Sequence, residues 1–165
     1  TGLKLQINEA KSAVGSAFGR KFLGYELWVA KGREVKCKVA EKPLDNFKAR
    51  IRQLTRRSGG RSMEQVVHKL KSYMLGWKAY FGMAQTPGVW RELDEWLRHR
   101  LRAIQLWHWR RPQTIYRELK ALGATQDVAK QVAGNCHRWW RNSDGAIKRV
   151  LTIAYFDRLG LPRLS

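Results

Sequence analysis

The first pattern along the chain is a period of two. Leu3, Leu5 and Ile7 alternate with polar residues, and "KFLGYELWV" (21–29) and "EVKCKVA" (34–40) read the same way, with "AKGR" and its Gly32 as a turn between them. The alternation predicts a short strand followed by a β-hairpin. After Pro43 the period changes to that of a helix: Leu44, Phe47, Ile51 and Leu54 share one face, and "RSGGR" interrupts it. Ser62 with Gln65 three residues later is the start signal of a second helix. In that helix Met63, Val66, Val67, Leu70, Tyr73, Met74, Trp77, Tyr80 and Phe81 fall within an arc of roughly 140°, which predicts a buried face with Trp77 at its centre. Tyr73 and Tyr80 lie at the edge of the arc, where a phenol could reach a ligand. Gly76 weakens a helix interior, so a close neighbour is expected there. Gly82 and Pro87 end the helix.

A third helix is predicted from about Val89 to Arg110, with Val89, Leu93, Trp96, Leu97, Ile104 and Trp107 as its apolar side. Beyond Pro112, "TIYRELKALG" forms a short helix closed by Gly123, and Thr125 caps "QDVAKQVAG". Ser143 or Asp144 is expected to open a last helix through Ile147, Val150, Leu151, Ala154 and Tyr155, ended by Gly160 and Pro162. The fold class is therefore mainly α, with an N-terminal β-hairpin ahead of a helical bundle and a smaller helical region.

Charge changes this picture. The 165 residues hold 33 Lys and Arg against 13 Asp and Glu, a formal net charge of +20. Basic residues outnumber acidic ones 14 to 5 over residues 1–60, 9 to 4 over 61–110 and 10 to 4 over 111–165, so the excess is spread over the fold and not confined to a tail. A long polyanion is the natural partner. Eight Trp interleave with the basic groups, a combination suited to neutralising phosphates and stacking on unpaired bases. The helix faces carry Lys48, Arg52, Arg56, Arg57, Arg61, Lys71 and Lys78. Arg98, Arg100, Arg102, Arg110 and Arg111 then follow within fourteen residues with no Lys among them, which favours phosphate because the guanidinium fork matches it. Arg138, Trp139, Trp140 and Arg141 repeat the combination in "HRWWRN".

Candidate chemistry is sparse. The strands carry only Glu9, Glu26 and Glu34, too few to hold two metal ions. No phosphate-binding Gly loop, Gly-x-Ser-x-Gly or His-Glu-x-x-His occurs. Asp94, between Glu92 and Glu95, reads as helix charge pairing with Arg91 and Arg98. Cys37 and Cys136 form no disulfide framework, which points to a reducing compartment, and the four His lack the Cys spacing of a zinc site. No apolar run reaches the length of a membrane span. No catalytic residue, metal ligand or cofactor site is read in this chain.

The ordered series "NEAKSAV", "KFLGYEL", "LKSYMLGWKAYF", "LDEWLRHRLR" and "WHWRRP" resembles the C-terminal part of group II intron reverse transcriptase/maturases, over nearly the whole chain. The resemblance implies palm-end strands over residues 1–42, a helical thumb over 43–105 and the maturase domain X over 106–165. It implies a parent RNA-directed DNA polymerase whose thumb grips an RNA/DNA template–primer duplex during target-primed reverse transcription. Domain X would bind the intron RNA to assist splicing, and target DNA would be reached through the complex. The family's Tyr-x-Asp-Asp motif is expected upstream of Thr1, and Mg2+ at that polymerase site and in the intron RNA. Ser165 falls where domain X ends in the family, so a parent without the endonuclease domain is expected, in a bacterial cytoplasmic ribonucleoprotein. Two other readings fit the same residues: a CRISPR-associated or defence reverse transcriptase, and a non-enzymatic protein that binds structured RNA.

Overall fold

The computed structural model describes residues 15–56 and 60–165. The strand expected at Leu3, Leu5 and Ile7 lies outside the described residues, as does Arg57. Three strands, β1 (Lys21–Phe22), β2 (Tyr25–Val29) and β3 (Val35–Val39), form an antiparallel sheet in the order β1-β2-β3. The single strand expected over 21–29 is in fact two. Phe22 pairs with Tyr25, and the chain reverses through Leu23 and Gly24 at φ 50° and 83°. Two successive positive φ values make the tight hairpin turn whose twist matches that of the flanking strands. Gly24 is also required sterically, since a Cβ there would meet the Phe81 ring at 3.1 Å and Pro43 at 3.2 Å. The β2–β3 hairpin forms as expected, with Leu27 opposite Cys37 and Val29 opposite Val35. Tyr25 joins the sheet to the helices by donating to the Tyr80 carbonyl at 2.5 Å and packing on Phe81, while the Gln85 amide donates to the Cys37 carbonyl at 2.8 Å.

Helix α1 (Glu41–Leu54) starts two residues before Pro43, which its first turn accommodates because no intrahelical donor is needed there. It buries Phe47 and Ile51. Helix α2 (Met63–Phe81) begins on the expected capping box: Ser62 Oγ accepts from the Gln65 amide at 3.3 Å and Gln65 returns the bond at 3.2 Å. Its buried face is Met63, Val66, Val67, Leu70, Met74, Trp77 and Phe81, as the periodicity predicts. Of the two tyrosines at the edge, Tyr73 is half-buried and stacks on Phe47, whereas Tyr80 is exposed and donates to the Leu23 carbonyl. No neighbour approaches within 4 Å of a Cβ built on Gly76, contrary to expectation, so it lies on the exposed side at its ordinary helical cost.

Helix α3 (Pro87–Trp109), about 34 Å long at 1.5 Å per residue, is the axis of the molecule. Trp90, Leu93, Leu97, Leu101 and Ile104 form its inner stripe, and every residue from Leu101 to Leu106 is buried. A helix buried all round is enclosed by others. Helices α1 and α2 pack through its first half, and α4 (Pro112–Ala121), α5 (Gln126–Gly134), α6 (Trp139–Asn142) and α7 (Ile153–Arg158) complete the bundle. Gly123 at φ 87° ends α4 and Thr125 caps α5.

The long last helix does not form. Residues 146–149 make one 3₁₀ turn, and α7 restarts at Ile153 under a Thr152 cap. The cause is a distant side chain: Arg102 Nε donates to the Leu151 carbonyl at 2.8 Å. A continuous helix would give that carbonyl to the Tyr155 amide, which bonds Thr152 Oγ1 instead. One hydrophobic cluster runs from Val39 to Leu164. Both that core and α3 pass through positions 105 and 106 without a break.

Candidate nucleic-acid interface

The basic residues divide into those facing solvent and those holding the fold. Arg98 and Arg102, expected on a solvated phosphate-binding face, are only 6% and 5% exposed. The reason is that α3 is enclosed on both sides at these positions, so an i,i+4 arginine pair becomes part of the interior. Arg102 bonds Leu151, and its guanidinium lies 5.9 Å from the Phe156 ring. Arg98 Nη1 lies 3.9 Å from Asp94. Asp94 is itself buried. Beyond the expected pairing with Arg98, it accepts the Leu164 and Ser165 amides at 3.0–3.1 Å and Ser165 Oγ at 2.9 Å. Arg100 donates to Thr55 Oγ1 at 2.5 Å and to the Arg52 carbonyl at 3.4 Å, closing the end of α1. Lys78 donates to the Arg163 carbonyl at 2.9 Å.

The solvent-facing groups gather around Arg61, the residue just ahead of the α2 cap, whose Nη1 reaches the Leu54 carbonyl at 3.5 Å. Three grooves meet there. One, about 590 Å³, runs between α1 and α2 and is lined by Arg50, Gln53, His68, Lys69 and Ser72 as well as Arg61. A second, about 610 Å³, continues past Lys69 to Lys71 and Leu159. The third, about 740 Å³, is walled by Trp107, His108, Trp109, Arg110 and Tyr155. In it the Arg110 guanidinium sits 4.7 Å over the Trp107 ring, and Arg110 itself is exposed. Burial pushes the His108 imidazole below its ordinary value, with Glu64 partly opposing, which favours the neutral ring. Burial likewise raises the Tyr155 phenol, which stays protonated as a donor. The cleft thus sets flat rings beside Arg61 and Arg110, with Glu64 and Glu118 also in its lining. Rings and guanidinium groups are the elements that hold an unstacked base and its phosphates.

Of the other expected residues, Arg52, Arg56 and Arg111 are exposed and Lys48 half-buried, with the Arg52 guanidinium 5.5 Å over Trp96. Arg138 and Arg141 line a separate small cleft of about 290 Å³ with Gln131 and Asn135. Trp139 packs against the core, whereas Trp140 is 49% exposed and stacks on His99 with ring centres 3.9 Å apart. The structure therefore brings Arg61 and Lys71 together with Trp109 and Arg110 across some 40 positions of sequence, and leaves Arg138, Trp140 and Arg141 apart from them. Sequence reasoning passed over Arg50, Lys69, Trp107, His108 and Tyr155 as site residues. Trp107 and Arg110, three positions apart at the end of α3, carried a usable signal for a ring–cation pair.

Among the described residues no group of three or more His, Cys, Asp or Glu could hold a metal ion, and no helix is long and apolar enough to cross a membrane. Residues 44–123 match the group II intron, maturase-specific domain. No curated protein matches the chain. The match starts in α1, ends after α4 and contains most of the groove residues, from Arg50 through Arg110. Helices α1 to α4 and the grooves between them thus lie in a stretch similar to the maturase-specific domain of group II introns.

Proposed function

We propose that the chain serves its group II intron in splicing by binding the folded intron RNA along the grooves that meet at Arg61. The observation that carries this reading is the overlap of the maturase-specific match with those grooves. A-form RNA is held through phosphates and 2′-hydroxyls, which suits rows of Arg and Lys on helices, while unpaired bases suit the Trp107–Trp109 cleft. No catalytic side chain is required of the protein, because the intron RNA performs its own transesterifications with its own Mg2+. The protein contributes by binding the active RNA fold more tightly than misfolded ones, which shifts the population toward splicing. Arg52 and Arg56, exposed cations outside those grooves, are further proposed to grip the template–primer duplex of a reverse transcriptase. Arg110, Arg111, Arg138 and Arg141 would extend the intron-RNA contacts, and target DNA would be engaged through the ribonucleoprotein, in the bacterial cytoplasm.

The test is the salt dependence of binding between the chain and its intron RNA. Each phosphate neutralised contributes about −0.7 to −0.9 to the slope of log K against log salt. Engagement of the three grooves predicts a slope steeper than about −3. A slope shallower than about −2 removes the basis for a groove-spanning complex. Within the complete protein, Ala at Arg110, Arg111, Arg138 and Arg141 should impair splicing more than polymerisation on a generic primed template, and Ala at Arg52 and Arg56 the reverse. Equal losses from both sets favour one continuous RNA surface.

A further inference from the structure

Away from the Arg61 grooves, a cavity of about 650 Å³ opens between α3 and the start of α7, and its charge balance is incomplete. Four cations line it, Arg91, Arg98, Arg102 and Lys148, against two carboxylates, Asp94 and Glu95. Neither carboxylate is available to the arginines at hydrogen-bonding distance. Glu95 is paired with Lys148, which also pairs with Asp144. Both oxygens of Asp94 are taken by the Leu164 and Ser165 donors, which leaves Arg98 at 3.9 Å. Arg98 Nε is buried with no acceptor. Beside it, burial lowers the Arg102 guanidinium from its ordinary value and the Arg98 charge adds to the effect, with Asp144 and Glu95 partly opposing. A buried guanidinium N–H without an acceptor costs stability, and the cost is recovered when an anion with several oxygens enters.

We propose that this cavity receives a phosphate group of the bound RNA, with Arg98 on its floor and Arg91 at its rim. The site is a second anchor on the opposite part of α3 from the Trp107 cleft, and it rests on the reading that the chain binds RNA. A phosphate presents an oxygen to Arg98 Nε that no protein group supplies, and entry of an anion relieves the repulsion between Arg98 and Arg102. Ile153, half exposed on the cavity wall, leaves the mouth open.

The variant Arg98→Met separates this role from a structural one. If Arg98 served mainly as the partner of Asp94, its loss would lower the melting temperature of the RNA-free chain. A cation awaiting a ligand predicts an unchanged or raised melting temperature, because a poorly compensated buried charge is replaced by an apolar side chain. RNA affinity should fall about 10-fold, and the salt slope should become shallower by about 0.7–0.9, one phosphate. Ile153→Glu, at an exposed position that does not endanger folding, places a carboxylate at the cavity as an internal competitor. It should weaken RNA binding to a similar extent, whereas Ala79→Glu, an exposed control of equal charge on α2, should have a much smaller effect. The double variant Arg98→Met/Ile153→Glu should lose little more than either single one, since both remove the same contact. Wild-type RNA binding with a steep slope that neither variant alters overturns the cavity assignment and leaves the proposed function standing. Failure of the wild-type chain to bind RNA overturns both. Stabilisation by inorganic phosphate, lost in Arg98→Met but without any change in RNA affinity, identifies a small-anion site and overturns the RNA assignment.

Discussion

Trp77→Ala tests whether the aromatic run of α2 is core or nucleic-acid platform. Trp77 is 9% exposed, with Phe47, Phe81 and Trp90 at ring-centre distances of 4.4, 4.8 and 5.3 Å. Burial of about 150–250 Å² at about 25 cal/mol per Å² gives about 4–6 kcal/mol. Compactness of the unfolded chain reduces that figure, and Trp-to-Ala truncations in cores cost about 3–5 kcal/mol. The ring also joins α1, α2 and α3, so no single helix shift fills the void. For a chain of this length each kcal/mol moves the midpoint by about 2–4 °C, which predicts a fall on the order of 10 °C in a melt followed by circular dichroism. RNA affinity, measured well below that midpoint, should be unchanged per folded molecule. An unaltered melting temperature with a collapse in RNA binding would refute the core assignment and make Trp77 a stacking residue.

Two further outcomes follow from the polar interior. Asp94→Ala leaves the Leu164 and Ser165 amides without acceptors and Arg98 without its nearest counter-charge. It should destabilise the chain by about 3–5 kcal/mol and speed amide exchange at Leu164 and Ser165, which native-state hydrogen exchange reads directly. His108 is held below its ordinary value of 6.5 by burial, so the unfolded chain takes up the proton first. The stability His108 contributes is therefore present above about 6.5 and is lost as pH falls toward the depressed folded value. Denaturant titrations should show a decline below pH 6.5 that is smaller in His108→Gln, and identical profiles would exclude His108 as its source.

The elements set by neighbouring residues were legible in the sequence. The Ser62–Gln65 capping box, the buried stripe and Gly82 stop of α2, the Pro112 start and Gly123 stop of α4, and the β2–β3 hairpin all follow from local chemistry. The Leu23–Gly24 turn was hidden because leucine seldom adopts a positive φ, so "FLGYE" reads as continuous strand. The break before α7 was hidden for another reason: it depends on Arg102, 49 residues away. The same separation concealed the burial of Arg98 and Arg102. A run of arginines on a helix reads as a solvated face unless the segments that cover it are known, and here they are the last fifteen residues. Of the candidate site, Arg61, Lys71, Trp109 and Arg110 were visible as residue types, but their convergence on adjoining grooves is a property of the packing.

The buried cations also determine how the molecule can divide its work. Arg100 ties the end of α1 to α3, Arg102 ties α3 to the segment before α7, and Lys78 ties α2 to Arg163. Asp94 fixes Leu164 and Ser165 to α3. Each contact links parts of the chain far apart in sequence, and the last three link residues before position 105 to residues after 150. Removing Arg102 or Asp94 releases buried polar groups and disturbs both halves together. A loss of splicing or polymerisation in Arg100 or Arg102 variants would therefore report on the fold as much as on any phosphate contact. The arginines able to discriminate the two activities are the exposed ones, Arg52, Arg56, Arg110, Arg111, Arg138 and Arg141. Because α3 and the core run unbroken through positions 105 and 106, any division of the proposed splicing and polymerisation roles would have to reside in these surface groups.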